Sequence, residues 1–368
     1  YAGGIYNQFS TGQNDDDPIG VVASRNYSQV AFTPTEGYGP PSFSANFQLS
    51  AGAPWEPQQG GIDILFGNET QPHFWDRRSW VDPFDGGVSA INAPGGISIY
   101  GDAGPDQPHQ IVGFPLAALV SSDFGWGFGH NLDLCNDCYA QWGTFVSLVS
   151  FTESPDNGEQ SPPVGLFNDN LPYSDITTVA VLGWWIAGDI PAVGQLPITG
   201  TASYAGDTIA TVATDLFGDG GWTTYVATGD VEMNWNFGKR TGNMTVSNFD
   251  AGHFEGGLQF GGKMCAPGIT SCGTTPDGAK WNTPSGNHFG GPLKGTLPNF
   301  GPSEGLSPQA RALNGFALGS FVRGPSNYQT VGDLPVPISR SIPQGAIGNW
   351  GIGNDRYMAS GVFGASRQ

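Results

Sequence analysis

Lysine is nearly missing from this 368-residue chain. Only Lys239, Lys263, Lys280 and Lys294 occur, and 13 bases in all stand against 32 acids. The resulting net charge of −19 repels phosphate backbones and anionic membranes, which argues against a nucleic-acid partner. Long hydrophobic runs are missing too. The longest, residues 179–187, contains Gly183 and is about half the ~18 residues that a membrane-spanning helix needs. Helical periodicity is weak throughout; only residues 307–313 have the spacing for a couple of turns. No initiator Met or leader precedes Tyr1, which gives the expectation of an exported product whose signal has been removed. A lipoprotein would begin on cysteine, so no lipid anchor is expected at this terminus.

Cysteine is scarce, with four residues in two local pairs, Cys135/Cys138 and Cys265/Cys272. An even count in an exported chain implies disulfides, of which local pairing is the simplest of three connectivities. Zinc is the competing reading for Cys-x-x-Cys. The second pair has six intervening residues, however, and no His stands at zinc-finger spacing beside either. A thioredoxin-like role is disfavoured, because no βαβ pattern surrounds the first pair.

What the chain does have is glycine (58), proline (29) and aromatics, with 11 Trp, 23 Phe and 11 Tyr. So many large rings, in a chain without monotonous tracts, point to an ordered all-β protein rich in turns rather than to disorder. Residues 1–19 are polar and read as an arm or irregular lead-in. Candidate strands follow at 21–33, 42–50, 61–66, 96–100, 110–120, 144–152 and 177–188, separated by long connections. The stiff connector Pro191–Pro197 is the expected domain boundary. Beyond it the alternation sharpens, at 201–212, 222–237, 244–249, 254–261, 316–322 and 357–363, with Val231, Met233, Trp235 and Phe237 at period two. Such alternation puts one face on a core and one in water. The fold class expected is all-β: an irregular antiparallel domain over 1–190, then an antiparallel β-barrel of about eight strands over 191–368.

Several of these segments carry a resemblance. Leu196-Pro-Ile-Thr-Gly-Thr-Ala-Ser-Tyr-Ala-Gly206 resembles the opening barrel strand of the transferrin-binding protein B-like (Slam-dependent type) surface proteins of Gram-negative bacteria. Val231–Lys239 resembles that family's strand ending in an aromatic-Gly turn, and Asn314–Val322 its Gly-aromatic-Gly strand. Ala346–Trp350 with Tyr357–Arg367 resembles its closing hairpin. Cys135-Asn-Asp-Cys138 with Trp142-Gly143 is similar to a segment found upstream of such barrels. The resemblance implies a secreted or cell-surface binding protein, associated with the outer-membrane surface, that engages haem, another iron source or a protein partner. Residues 1–120 carry no such resemblance.

The chemistry-bearing residues are scattered. His73, His109, His130, His253 and His288 include no His-Glu-x-x-His pair. His73 and His130 are the better candidates for ligating haem iron, since aromatic and glycine-rich neighbours can wall a porphyrin; the plain alternative is a hydrogen-bonded structural histidine. Trp75, Trp80 and Trp126 sit in loops and can stack on a porphyrin, a sugar or a protein, or simply pack beneath their loops. Asp15-Asp16-Asp17, Asn168-Asp169-Asn170 and Asp215 with Asp219 are oxygen-rich segments of a type that holds calcium, and equally of a type that makes turns. Gly301-Pro-Ser-Glu-Gly305 matches a nucleophile-elbow string without the strand–turn–helix setting, and Gly125–His130 lacks the helix and lysine of a phosphate loop. No catalytic constellation emerges, so no enzyme is expected. The leading expectation is a non-catalytic binding protein whose first contact residues are His73, Trp75, Trp80, Trp126 and His130. The alternative is a self-assembling structural protein of a surface layer, filament or matrix; glycan binding comes third.

Overall fold

The computed structural model describes the backbone of residues 1–10, 19–24, 29–33, 42–52, 60–66, 97–100, 116–121, 132–152, 176–215, 222–250, 252–260, 287–297, 311–332 and 334–368. Two antiparallel assemblies emerge. The first is a nine-stranded sheet built from β1 (Ala2–Ser10), β2 (Ile19–Ser24), β3 (Gln29–Thr33), β4 (Ser42–Gly52), β5 (Gly60–Phe66), β6 (Ile97–Tyr100), β7 (Leu116–Ser121), β8 (Ala140–Thr152) and β9 (Ile176–Gly188). Its order is β6-β5-β4-β2-β1-β9-β8-β7, with β3 also pairing with β4. The second is a closed barrel of β10 (Thr201–Asp215), β11 (Trp222–Asn236), β12 (Thr241–Phe249), β13 (Gly252–Phe260), β14 (His288–Thr296), β15 (Ala312–Val322), β18 (Gly345–Asn354) and β19 (Tyr357–Arg367). Between β15 and β18 a two-stranded ribbon stands apart, made of β16 (Tyr328–Val331) and β17 (Leu334–Pro337).

The barrel is an apolar core wrapped in a polar wall. Along β11, Val231, Met233 and Trp235 point inward and are buried, while Asp230, Glu232 and Asn234 point outward and are exposed. β12 and β13 alternate in the same way, with Met244, Val246, Phe254 and Leu258 inside and Asn243, His253, Glu255 and Gln259 outside. The interior is filled by rings. Trp235 lies 4.8–5.3 Å from the centroids of Phe260, Phe289 and Phe321, and Trp350 stands edge-on to Phe249 at 4.9 Å. The Trp350 indole N–H donates to Thr208 Oγ1 at 2.7 Å, so its polar edge is satisfied inside the core. Each buried ring contributes roughly 1.5–3 kcal/mol by leaving water, and favourable ring pairs add about 0.5–1.5 kcal/mol.

On β15, β18, β19 and the second half of β10 the alternation disappears, and nearly every residue is buried. The physical reason is a second contact. The outward side chains Ile209, Leu318, Val322, Ile347 and Val362 form a common core with Tyr1, Leu134, Cys135, Trp142, Trp184 and Ile186 from the sheet side. These four barrel strands are therefore covered on both faces and read as continuous apolar and glycine-rich sequence.

The structure corrects four expectations. The polar arm over 1–19 is in part a central strand: residues 2–10 pair with both β2 and β9, and Tyr1, Ala2 and Ile5 are buried. The single strand expected over 21–33 is two, β2 and β3, each pairing with a different stretch of β4. The helical turns expected at 307–313 give way, at their end, to β15, which already includes Ala312 and Leu313. Finally, β14 and the β16–β17 ribbon were not expected at all; prolines and glycines within them mask the alternation.

Candidate functional site

The junction between sheet and barrel holds a cluster of buried polar groups, among them His288, Ser320, Thr211 and Ser360. β1 crosses the closing strand β19 so closely that a Cβ on Gly3 would lie 2.7 Å from the Gly361 carbonyl oxygen and 2.9 Å from Ser360 Oγ. Only glycine lets two backbones approach this far. At the end of β1, the Tyr1 hydroxyl meets the outer face of the barrel, where it hydrogen-bonds His288 Nδ1 and lies 2.5 Å from Ser320 Oγ. Ser320 and His288 are cross-strand partners, 2.5 Å apart at Oγ and Nδ1. The Tyr1 and Ile186 backbones exchange hydrogen bonds at 2.8 and 2.9 Å. Further along, the Trp184 indole N–H donates to Thr211 Oγ1 at 3.1 Å.

Burial holds the His288 imidazole down to a pKa of about 4. Its folded-state value is thus below the 6.5 of an unperturbed histidine, so the unfolded chain takes up the proton first. The stability that the neutral ring supports is full above pH 6.5 and is lost as the pH falls towards 4, by about 3 kcal/mol at the limit. We expect the urea midpoint to fall between pH 7 and pH 4.5 more steeply in the wild type than in His288→Gln. Identical pH slopes in the two proteins would show that this histidine is not the titrating group.

Residues 132–139 form a second feature of the junction. Cys135 and Cys138 are joined in a disulfide, and no other pairing or zinc role is left for them. The Cys138 N–H donates to the Cys135 carbonyl at 3.0 Å, and the Asn136 N–H to Asp133 Oδ1 at 2.9 Å. Asp133 then anchors the turn to β10: its N–H donates to Asp207 Oδ2 at 2.5 Å, and its carbonyl accepts from the Asp207 N–H at 3.0 Å. Burial raises the Asp207 carboxyl above its usual range, opposed by the Asp133 N–H and reinforced by the neighbouring Asp230 and Asp133 charges. The turn lies directly on barrel glycines. A Cβ on Gly364 would come within 2.6–2.8 Å of Leu134 backbone atoms, and one on Gly345 would collide with both disulfide sulfurs.

A third cluster ties the barrel rim to the sheet. Arg323 Nη1 donates to both oxygens of Asp189, at 3.0 and 3.1 Å, and Nη2 reaches Gln195 Oε1. The Tyr328 hydroxyl also donates to Asp189, and the Tyr139 N–H donates to the Arg323 carbonyl at 2.9 Å. Asn327 braces the loop that follows, accepting from the N–H groups of Gly324 and Gln344 and donating to the Ile342 carbonyl at 2.8 Å.

Of the residues singled out in the sequence, His73, Trp75, Trp80, Trp126, His130, Cys265, Cys272, Asp15, Asp17, Asp169 and Asp219 lie outside the described residues, as does Gly301–Gly305. Asp215 is described: it is the buried last residue of β10, and its N–H donates to the Arg356 carbonyl at 3.0 Å. No group of three or more His, Cys, Asp or Glu side chains suited to a metal occurs among the described residues. His253 and Glu255 approach to 3.8 Å on the exposed barrel wall. Tyr1 and Ser320 were invisible as site residues in the sequence, and no local signal marks them. Their meeting depends on strands more than 280 residues apart.

The described geometry defines a class: an all-β protein in which a broad antiparallel sheet is packed against a solid eight-stranded barrel. No family model matches the chain, and no curated protein does. Among solved structures, the chain is similar to transferrin-binding protein B. A structure of that protein from Haemophilus parasuis Hp5 is 13% identical with a TM-score of 0.33, covering 100% of this chain and 75% of that one. The isotype 1 protein from serogroup B Neisseria meningitidis is 10% identical with a TM-score of 0.31, covering 91% and 67%. A structure titled as a surface lipoprotein is 13% identical with a TM-score of 0.31, covering 62% and 76%.

Proposed function

We propose that this is a non-catalytic binding protein displayed outside a Gram-negative cell, whose barrel is a rigid platform and whose loops make the contacts. The observation that carries this reading is the filled barrel. An eight-stranded barrel is just wide enough to be packed by side chains, and here Trp235, Trp350 and the surrounding phenylalanines occupy the interior. A ligand must therefore be held outside the barrel. The polarity is also the inverse of a membrane-spanning barrel, which is apolar outside and polar within; the wall formed by β11–β13 is built to face water. Residues 1–190 and 191–368 serve as the two parts, the first supplying the long aromatic loops.

The contacts fall to His73, Trp75, Trp80, Trp126 and His130, with an iron source such as haem or a protein partner as the ligand. Two of the similar structures described above are named for binding transferrin, which makes transferrin a direct probe. The test is a haem titration followed in the Soret region, beside calorimetry with transferrin, on the full chain. A stoichiometric Soret change abolished by His73→Ala or His130→Ala supports haem capture. Transferrin binding weakened about tenfold or more by Trp75→Ala or Trp80→Ala supports a protein partner, as expected for truncating an aromatic anchor. Neither response in the wild type overturns the iron-source reading.

A further inference from the structure

We infer that Cys135–Cys138 is a thiol–disulfide exchange site, and that residues 132–139 form a strap which this bond latches across the closing seam of the barrel. The reactant it takes is a dithiol. The inference does not depend on the loop-binding reading, since it uses none of the same residues.

The strap is seated directly on barrel backbone. It crosses β10, β19, β18 and the end of β15 in turn, and a glycine lies beneath it at each crossing. A Cβ on Gly206 would come within 2.7 Å of the Asp133 carbonyl oxygen. Gly364 lies under Leu134, Gly345 under both sulfurs, and Gly324, just past β15, under the Asp137 carbonyl. β10 and β19 are the pair that closes the barrel. At its far end the strap runs straight into β8. There the Tyr139 N–H donates to the Arg323 carbonyl at 2.9 Å, and the Tyr139 carbonyl accepts from the Asp189 N–H at 3.0 Å. One short segment thus joins the seam of the barrel to the first residues of a sheet strand.

The bond is placed for local control. Its two cysteines are three positions apart, and a cross-link closing so short a loop restrains the turn more than the chain as a whole. Breaking it therefore leaves the barrel its core and its ladders. Within the turn the effect is direct. Cys135 has a φ of 68°, a left-handed backbone that a residue with a side chain adopts at a cost. Two thiols also need more room than a disulfide, because unbonded sulfurs stand at van der Waals separation. Cys135 cannot give way. It is 1% exposed, with Gly345 beneath it and the Ala365 carbonyl oxygen 3.1 Å from its sulfur. Cys138 is half-buried between the exposed Asp137 and Tyr139, so it is the residue that moves outward and carries the strap with it.

The same asymmetry sets the reaction. An incoming thiolate attacks Cys138 Sγ and forms a mixed disulfide there, breaking the bond to Cys135, which leaves as a thiolate. The Ser366 hydroxyl, 3.8 Å away and donating, faces that charge. The Cys135 thiolate takes a proton from water, and its new S–H has the Ala365 carbonyl beside it as acceptor. The second thiol of the reductant, as its thiolate, then attacks the reductant's own sulfur in the mixed disulfide. Cys138 is released and protonated, and the dithiol departs as its disulfide, having given up two electrons.

The test is dithiothreitol treatment of the full chain in native buffer, with alkylated cysteines mapped by mass spectrometry and hydrogen exchange followed peptide by peptide. The inference expects Cys135 and Cys138 to be reduced while the chain stays folded. It expects exchange at 132–139 and at the start of β8 to rise about tenfold or more, with β11–β13 keeping their protection. Cys135→Ser/Cys138→Ser, which leaves Cys265 and Cys272 in place, should show the same pattern without reductant. Reduction of this pair only at urea concentrations that unfold the barrel overturns the inference and makes the bond a fixed staple. Unchanged exchange at 132–139, in the reduced chain or in the serine variant, overturns it too. So does loss of protection throughout the barrel on reduction, since the bond would then hold the whole fold and not a latch.

Discussion

Trp235→Ala is expected to lower the stability of the barrel by about 3–5 kcal/mol, the cost of emptying a large aromatic site in a packed core. Trp235 is fully buried and touches the rings of Phe237, Phe260, Phe289 and Phe321, which come from β13, β14, β15 and the turn after β11. Few other single side chains reach so many strands, so neighbours can collapse into the space only by moving the barrel wall. The magnitude is a large fraction of the 5–15 kcal/mol typical of a whole domain, and we expect much of the variant to be unfolded at 37 °C. Trp235→Phe separates the causes. The indole N–H has no hydrogen-bond partner among the described residues, so phenylalanine removes an unsatisfied donor while keeping a ring in place. A urea midpoint for Trp235→Phe close to wild type, with Trp235→Ala far below, is the expected outcome. Equal losses in both would mean that the indole makes a contact essential to the fold.

Gly345→Val and Gly364→Val are expected to dislodge residues 132–138 from the barrel. At Gly345 the new Cβ would strike both disulfide sulfurs, and at Gly364 it would lie 2.6 Å from the Leu134 carbonyl carbon. Backbone atoms cannot yield by rotating a side chain, and the disulfide has little freedom to do so. The cost is on the scale of overpacking, about 1–3 kcal/mol or more at each site, and it falls on the junction rather than on the barrel core. The readout is hydrogen exchange: faster exchange at 132–139 and in β1 and β9, with barrel protection retained. Gly257→Ala is the control. Nothing lies within 4 Å of a Cβ there, so this change should be neutral or mildly stabilising by restricting the unfolded chain. If Gly257→Ala and Gly345→Val behave alike, the close packing of the turn has no energetic consequence.

The barrel was legible in the sequence where one of its faces meets water. Val231, Met233, Trp235 and Phe237 announced their strand because Glu232, Asn234 and Asn236 stand between them. β18 was harder to read from periodicity, because a strand covered on both faces has no alternation to show; in Gly345–Asn354 the signal lay only in its likeness to a family hairpin. β1 was misread for a related reason. Its Gly3 and Gly4 look like loop residues, yet they are there to let neighbouring backbones approach. The Cys135/Cys138 pairing was correctly anticipated from spacing and compartment. The Tyr1–His288–Ser320 cluster could not be anticipated, since it joins three residues that no local pattern connects.

The pairing of β10 with β19 has a consequence for how the chain acquires its shape. These strands close the barrel, yet they are about 150 residues apart, and β1 likewise must wait for β9 before its ladder of nine residue pairs can form. Barrel closure and the β1–β9 ladder are therefore contacts distant in sequence, of the kind that slow folding. Until the last barrel strand is made, one edge of the first, β10, stays unpaired, although its other edge already meets β11. The ring cluster around Trp235 cannot be shielded before then, so a chain halted short of β19 presents that apolar interior to whatever escorts it. Arrest at that stage, more than loss of any finished contact, is what leaves exposed the apolar surface that the completed barrel hides.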